Sequence, residues 1–155
     1  MANQTFDSIQ YKEYMAQLKR MISELPPFCA EFFRGIENET LIRTRVAYAG
    51  DLKNFFGFLI KENENFKRDN IRSLTLSDID RVSVTDVEIY LSYVTMYVGD
   101  DEREKVNQDR AKARKLSSIR ALYKYFYKKE KLTHNAPSLV DLPTIRDRAI
   151  IRIAA

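Results

Sequence analysis

The stretch Asp109 to Lys131, DRAKARKLSSIRALYKYFYKKEK, reads as one helix with two chemically different faces. Leu116, Ile119, Leu122, Tyr123 and Phe126 recur at steps of three and four, which makes a single apolar stripe. At about 100° per residue, Arg110, Arg114, Ser117, Ala121, Lys124 and Lys128 fall roughly opposite it, long cations alternating with small side chains. Small residues let a helix backbone come close to a polyanion while the flanking cations reach phosphates or base acceptors. The plain alternative is ordinary solvated surface. Against it stands the charge distribution. From Arg103 to Lys131 there are eleven basic and three acidic residues, yet the whole chain carries only +4. Positive charge is concentrated here and offset elsewhere, as a binding face requires.

The same period appears upstream. Tyr48, Leu52, Phe55, Phe56 and Leu59 mark the apolar face of a helix beginning near Thr40. Its outer side carries Arg43, Ala47, Gly50 and Asn54, flanked by Thr44, Arg45 and Lys53. A glycine inside a helix costs about 1 kcal/mol relative to alanine, so Gly50 points either to a close-approaching partner or to tolerated drift. A first helix is expected from about Ser8 to Leu25, with Tyr14, Leu18, Met21, Ile22 and Leu25 on one side and Pro26-Pro27 as its stop. Phe28 to Ile36 reads as a short apolar helix. Leu74 to Asp80 holds a helical turn capped at Ser77. Thr85 and Glu88 read as the capping box of a further helix with Val87, Tyr90, Leu91, Val94 and Val98 inward. Gly99 ends that helix, and Asp100 to Gln108 reads as a charged loop or hairpin. The Asn135-Ala-Pro137 turn closes the basic helix region, and no convincing strand appears.

The 155 residues suit one domain with a real core, and a composition 45% hydrophobic with nine Tyr and nine Phe suits a folded helical chain. The lone Cys29 cannot form an internal disulfide and reads as a packed thiol. With no leader sequence and no run of about eighteen apolar residues, a reducing, cytoplasmic setting without a membrane span is expected. One His and one Cys cannot assemble a standard zinc site or a Cys/His pair. His134 reads as a turn or cap residue. There is no glycine-rich phosphate loop and no isolated carboxylate pair. The reading therefore includes no cofactor, no metal and no catalytic residue.

Thr44-Arg-Val-Ala-Tyr48-Ala-Gly-Asp51-Leu52, with Phe55, Phe56 and Phe58-Leu59, resembles the second helix of the N-terminal core-binding domain of tyrosine recombinases, the phage integrase family. Ser77-Asp-Ile79 and Thr85-Asp-Val87 with Tyr90-Leu91 resemble its third-helix segment. Arg114-Lys-Leu-Ser-Ser-Ile-Arg120-Ala-Leu-Tyr123-Lys-Tyr-Phe126, then Asn135-Ala-Pro137, is similar to its last long helix and exit turn. The resemblance runs in order from about Phe28 to Pro143. It implies an all-α fold: a small SAM-like four-helix orthogonal bundle with extra short helices, forming half of a clamp around double-stranded DNA at a recombination site. The positions it places at the DNA are Thr44, Ala47, Gly50 and Lys53, with Arg110, Arg114, Lys115 and Ser118. Periodicity adds Arg43, Arg45, Ser117 and Lys124. Arg114 is expected at a base edge, and Lys53 and Lys124 at phosphates. The first helix, Tyr11 to Leu25, is expected to meet other recombinase subunits.

The resemblance also implies an expected division, with residues 1–142 as the DNA-binding unit and 143–155 as a linker toward a catalytic domain. No His-x-x-Arg occurs, so the tyrosines are read as core or surface and the chain by itself as no enzyme. Two other classes compete. A helical protein-interaction module predicts an exposed apolar patch. A standalone helix-turn-helix regulator needs a short turn before a recognition helix, and the long connections here disfavour it.

Overall fold

The computed structural model describes residues 2–94 and 102–142, with side chains described for 7–94 and 108–142. Among them the chain is all-α: α1 (Ala2–Glu24), α2 (Cys29–Gly35), α3 (Ile42–Glu62), α4 (Leu76–Asp80), α5 (Val84–Val94) and α6 (Glu102–Lys128), with short 3-10 turns at Glu64–Phe66, Ile71–Ser73 and Ala136–Leu139. The described residues contain no strand. Gly99, Val98 and the expected linker 143–155 lie outside the described residues.

The predicted stripes become the core. Leu52, Phe55, Phe56 and Leu59 of α3 meet Leu116, Ile119, Leu122, Tyr123 and Phe126 of α6, with Val87, Tyr90 and Leu91 of α5 closing the cluster; all are buried. Full burial of each large apolar side chain stabilises the fold by about 1.5–3 kcal/mol. The rings interlock edge to face, Phe28 with Phe56 and Phe126 at 6.0 and 5.8 Å between centroids. Cys29 is fully buried among them, and burial pushes its thiol pKa up. The buried Tyr123 hydroxyl donates to the Ile79 carbonyl at 2.6 Å, so no polar atom is stranded there. Tyr48, expected in the α3 core stripe, is only half-buried and lines a cleft instead.

Helix ends account for most differences from the sequence reading. α1 stops at Glu24 before Pro26, as expected from proline's missing donor. α4 is capped by Thr75 rather than Ser77: its hydroxyl accepts from the Asp78 amide, and Asp78 accepts from the Thr75 amide. The box on α5 is formed by Ser83 and Asp86, not Thr85 and Glu88. Asp86 also accepts from Asn63 Nδ2 at 2.9 Å, a tie from the end of α3 that selects this register. The expected loop at Asp100–Gln108 is helical from Glu102, which extends α6 to 27 residues. α6 stops at Lys128 and not at Asn135-Ala-Pro137. The Lys131 amide reaches back to the Phe126 carbonyl at 2.9 Å, and Glu130 takes the left-handed conformation (φ 60°) that closes a helix C-terminus.

Two contacts fix the outer elements. α1 packs along α3, and the end of α2 lies on α6. There an added Cβ at Gly35 would sit 2.2 Å from Tyr125 Cε2, so any side chain would have to displace that ring. Past α6, Arg120 Nε donates to the Pro137 carbonyl at 3.1 Å and its Nη2 donates to the Val140 carbonyl, holding the following segment against the bundle.

Candidate nucleic-acid interface

α3 and α6, the helices that carry the two faces singled out by periodicity, pack against each other along a seam. At its centre lies Asp51, 3% exposed. Asp51 accepts from Arg114 Nη2 at 2.9 Å and Nε at 3.3 Å, from Lys115 Nζ at 3.4 Å and from Ser118 Oγ at 2.7 Å. A carboxylate removed from water requires such partners, and here three side chains of one helix supply them. Arg114 is held by its Nε–Nη2 side and keeps a side chain 56% exposed. Its Nη1–Nη2 end therefore remains free to donate outward in the forked geometry that suits a guanine edge.

The other predicted positions divide by surroundings. Arg110, Ser117 and Lys124 of α6 are exposed, and Ala121 between them is half-buried. On α3, Arg43 is exposed with its guanidinium 5.6 Å from the Tyr14 ring centroid of α1, while Thr44, Ala47 and Gly50 are half-buried. Lys53 is exposed but ion-paired with Glu24 of α1 at 2.6 Å, a contact that lowers the Glu24 pKa. Lys115 turns inward to Asp51 and is 19% exposed.

Two expected contacts do not reach the surface. Ser118 is fully buried and its hydroxyl belongs to Asp51. Arg45 is 5% exposed at the edge of the apolar stripe, its Nε buried without a hydrogen-bond partner. Neither side chain can touch a ligand on the outer face. Gly50 is also explained differently than by a partner alone. A Cβ there would meet Met21 Cε of α1 at 3.6 Å, ordinary contact distance, whereas over Gly57 nothing lies within 4 Å.

Open space flanks the seam on both sides. One cleft, of about 550 Å³, is lined by Gly50, Lys53, Asn54, Gly57 and Lys61 of α3 and by Asn70 and Tyr93. Another, of about 480 Å³, is walled by Gly35, Thr40, Tyr48, Ala121, Lys124, Tyr125 and Lys128. The sequence reading missed Asp51 as an organising group. A single acid set between Gly50 and Leu52 in a basic helix was the available signal.

The seam occupies the segments that carried the family resemblance. Over 144 aligned residues, 86% of this chain, it is 33% identical to tyrosine recombinase XerC of Caldanaerobacter subterraneus subsp. tengcongensis. The chain is a tyrosine-recombinase homologue. The aligned part covers 37% of that relative, so this homologue spans well under half the length of the protein it matches. No protein-family model matches the tyrosine-recombinase homologue, and no solved structure matches it significantly. Among its described residues no helix is long and apolar enough to cross a membrane.

Proposed function

We propose that the chain binds double-stranded DNA as the core-binding half of a clamp in site-specific recombination, with α3 and α6 laid across the major groove. The observation that carries this reading is the shared outer face at the seam. The α6 side carries the exposed cations Arg110, Arg114, Lys124 and Lys128, with Arg114 tied to Asp51 of α3, and the α3 side carries the small residues Ala47, Gly50 and Gly57. Cations around a low centre fit a groove with phosphate walls. The named activity of the relative supports the same role. In this reading the chain supplies recognition, and strand cleavage belongs to the larger recombinase.

The α1 surface favours a subunit contact as part of the same assembly. Met15, Ala16, Leu18, Lys19 and Ile22 line an apolar cleft of about 390 Å³, and Ile9 and Tyr11 are exposed one or two turns before it. An apolar cleft on the helix expected to meet a neighbour fits that role.

Fluorescence anisotropy of a labelled random duplex at about 50 and 200 mM salt tests the DNA reading. Binding at low salt that weakens steeply at high salt is the expected result. Absence of binding at both overturns it in favour of the protein-interaction module.

A further inference from the structure

Asn54 lies one turn beyond Asp51 on α3, exposed on the outer face, and it is not free to turn. The buried Tyr90 of α5 reaches through the core and donates its hydroxyl to Asn54 Oδ1 at 2.6 Å. The phenol is uncharged: burial pushes its pKa up, the Asp51 charge pushes it further, and Arg114 opposes. Asn54 thus lies one turn from Asp51, which in turn holds Arg114.

The hydroxyl is not required by the core. Tyr90 sits in a ring cluster with Phe55 and Phe58 at 5.1 and 5.3 Å between centroids, which a phenylalanine would complete without any buried polar atom to satisfy. What the hydroxyl adds is an anchor for a surface amide. With one lone pair of its oxygen engaged by Tyr90, Asn54 is held in one amide orientation, and its Nδ2 is left as a donor. Its side chain is short, so a ligand must approach the helix backbone closely. Gly57, one turn further on, has open space above it and allows that approach.

We propose that Asn54, held by Tyr90, is a specificity-determining residue that donates its amide to a base acceptor in the major groove, a purine N7, guanine O6 or thymine O4, beside the position read by Arg114. The inference rests on the DNA reading above and deepens it.

The test is selection of binding sites from randomised duplexes with the 155-residue chain, followed by competition anisotropy at fixed salt for the wild type, Asn54→Ala, Asn54→Asp and Tyr90→Phe. Asn54→Ala is expected to lose about tenfold of preference at one position, with the salt slope unchanged. Asn54→Asp is expected to shift that position toward a base offering an amino group. Tyr90→Phe frees the amide to turn and is expected to broaden preference at the same position, with thermal unfolding confirming a folded protein. Selected sites with identical base profiles in Asn54→Ala and wild type overturn the proposal. So does salt-sensitive binding by the wild type with no selected sequence, an outcome that leaves the DNA reading standing. Failure of the wild type to bind any duplex removes the DNA reading itself, and this inference with it.

Discussion

Arg114 on α6 and Asp51 on α3, 63 residues apart in sequence, form a two-point ion pair at 2.9 and 3.3 Å beneath an exposed guanidinium. The pair joins the two helices that bear the proposed interface, so it bears on both stability and recognition. Asp51→Ala strips the buried Ser118 hydroxyl of its acceptor and loosens Arg114 and Lys115. A loss of about 1–3 kcal/mol is expected, measured as a fall in the midpoint of denaturant unfolding. An unchanged midpoint contradicts the role given to Asp51.

The cations differ in what they can contribute to DNA. Lys124 has no carboxylate partner among the described side chains, and its removal should flatten the log K against log salt slope by about one unit. Arg114→Ala should change that slope by less, because Asp51 already offsets its charge, while relaxing preference at one base pair. Slopes and base profiles measured on the same duplexes separate the two roles.

The glycines make opposite predictions. Gly35→Ala drives a methyl into the Tyr125 ring and is expected to destabilise by about 1–3 kcal/mol. Gly57→Ala meets nothing within 4 Å and should stabilise α3 by about 1 kcal/mol. If DNA lies against this face, the same Gly57→Ala protein binds duplex more weakly although its melting temperature is higher. Melting and anisotropy on one preparation read both effects.

Glu130 holds a conformation that costs an L-residue about 1–2 kcal/mol. Glu130→Gly is expected to raise stability by about 1 kcal/mol through relief of that strain at the end of α6. No gain in melting temperature would show that the turn is held at no cost.

Acid should loosen the α4 corner. For Asp78, burial raises the carboxyl pKa, but the Thr75 amide, Arg81, the Thr75 hydroxyl and Arg68 outweigh it, leaving the pKa below the usual 3.8. Asp80 behaves alike: burial raises it, and Thr133 and the His134 amide more than compensate. A carboxyl depressed in the folded state contributes stability above its unfolded pKa and loses it as pH falls through the folded value. Stability should therefore decline below about pH 4, and Asp78→Asn should blunt that decline in denaturant melts taken across pH.

How far the sequence could be read depended on the range of the interaction. The stripes of α3 and α6 are local patterns, and nearly every residue they named is in the core. Caps are local too, but two overlapping motifs competed on α5. Ser83 and Asp86 prevailed because Asn63, twenty-three positions earlier, engages Asp86. The hydrogen bonds of Asp51, Ser118 and Tyr90 were hidden for a different reason. Their partners sit on other helices, and no spacing within one helix reveals them. Arg45 stood at the margin of a stripe, where a rotation of a few tens of degrees decides between water and core. The helical start of α6 at Glu102 was obscured by its charge, since a polar helix and a polar loop differ little in composition.

Arg120 belongs to the basic helix by sequence, but its guanidinium is engaged by the Pro137 and Val140 carbonyls. Mechanically it is a rivet through the middle of α6. Tension applied to the chain at Leu142 is delivered to the centre of that rod rather than peeling its last turn. The segment that ends at Leu142 and the helix proposed to lie in the groove are thereby joined at mid-helix.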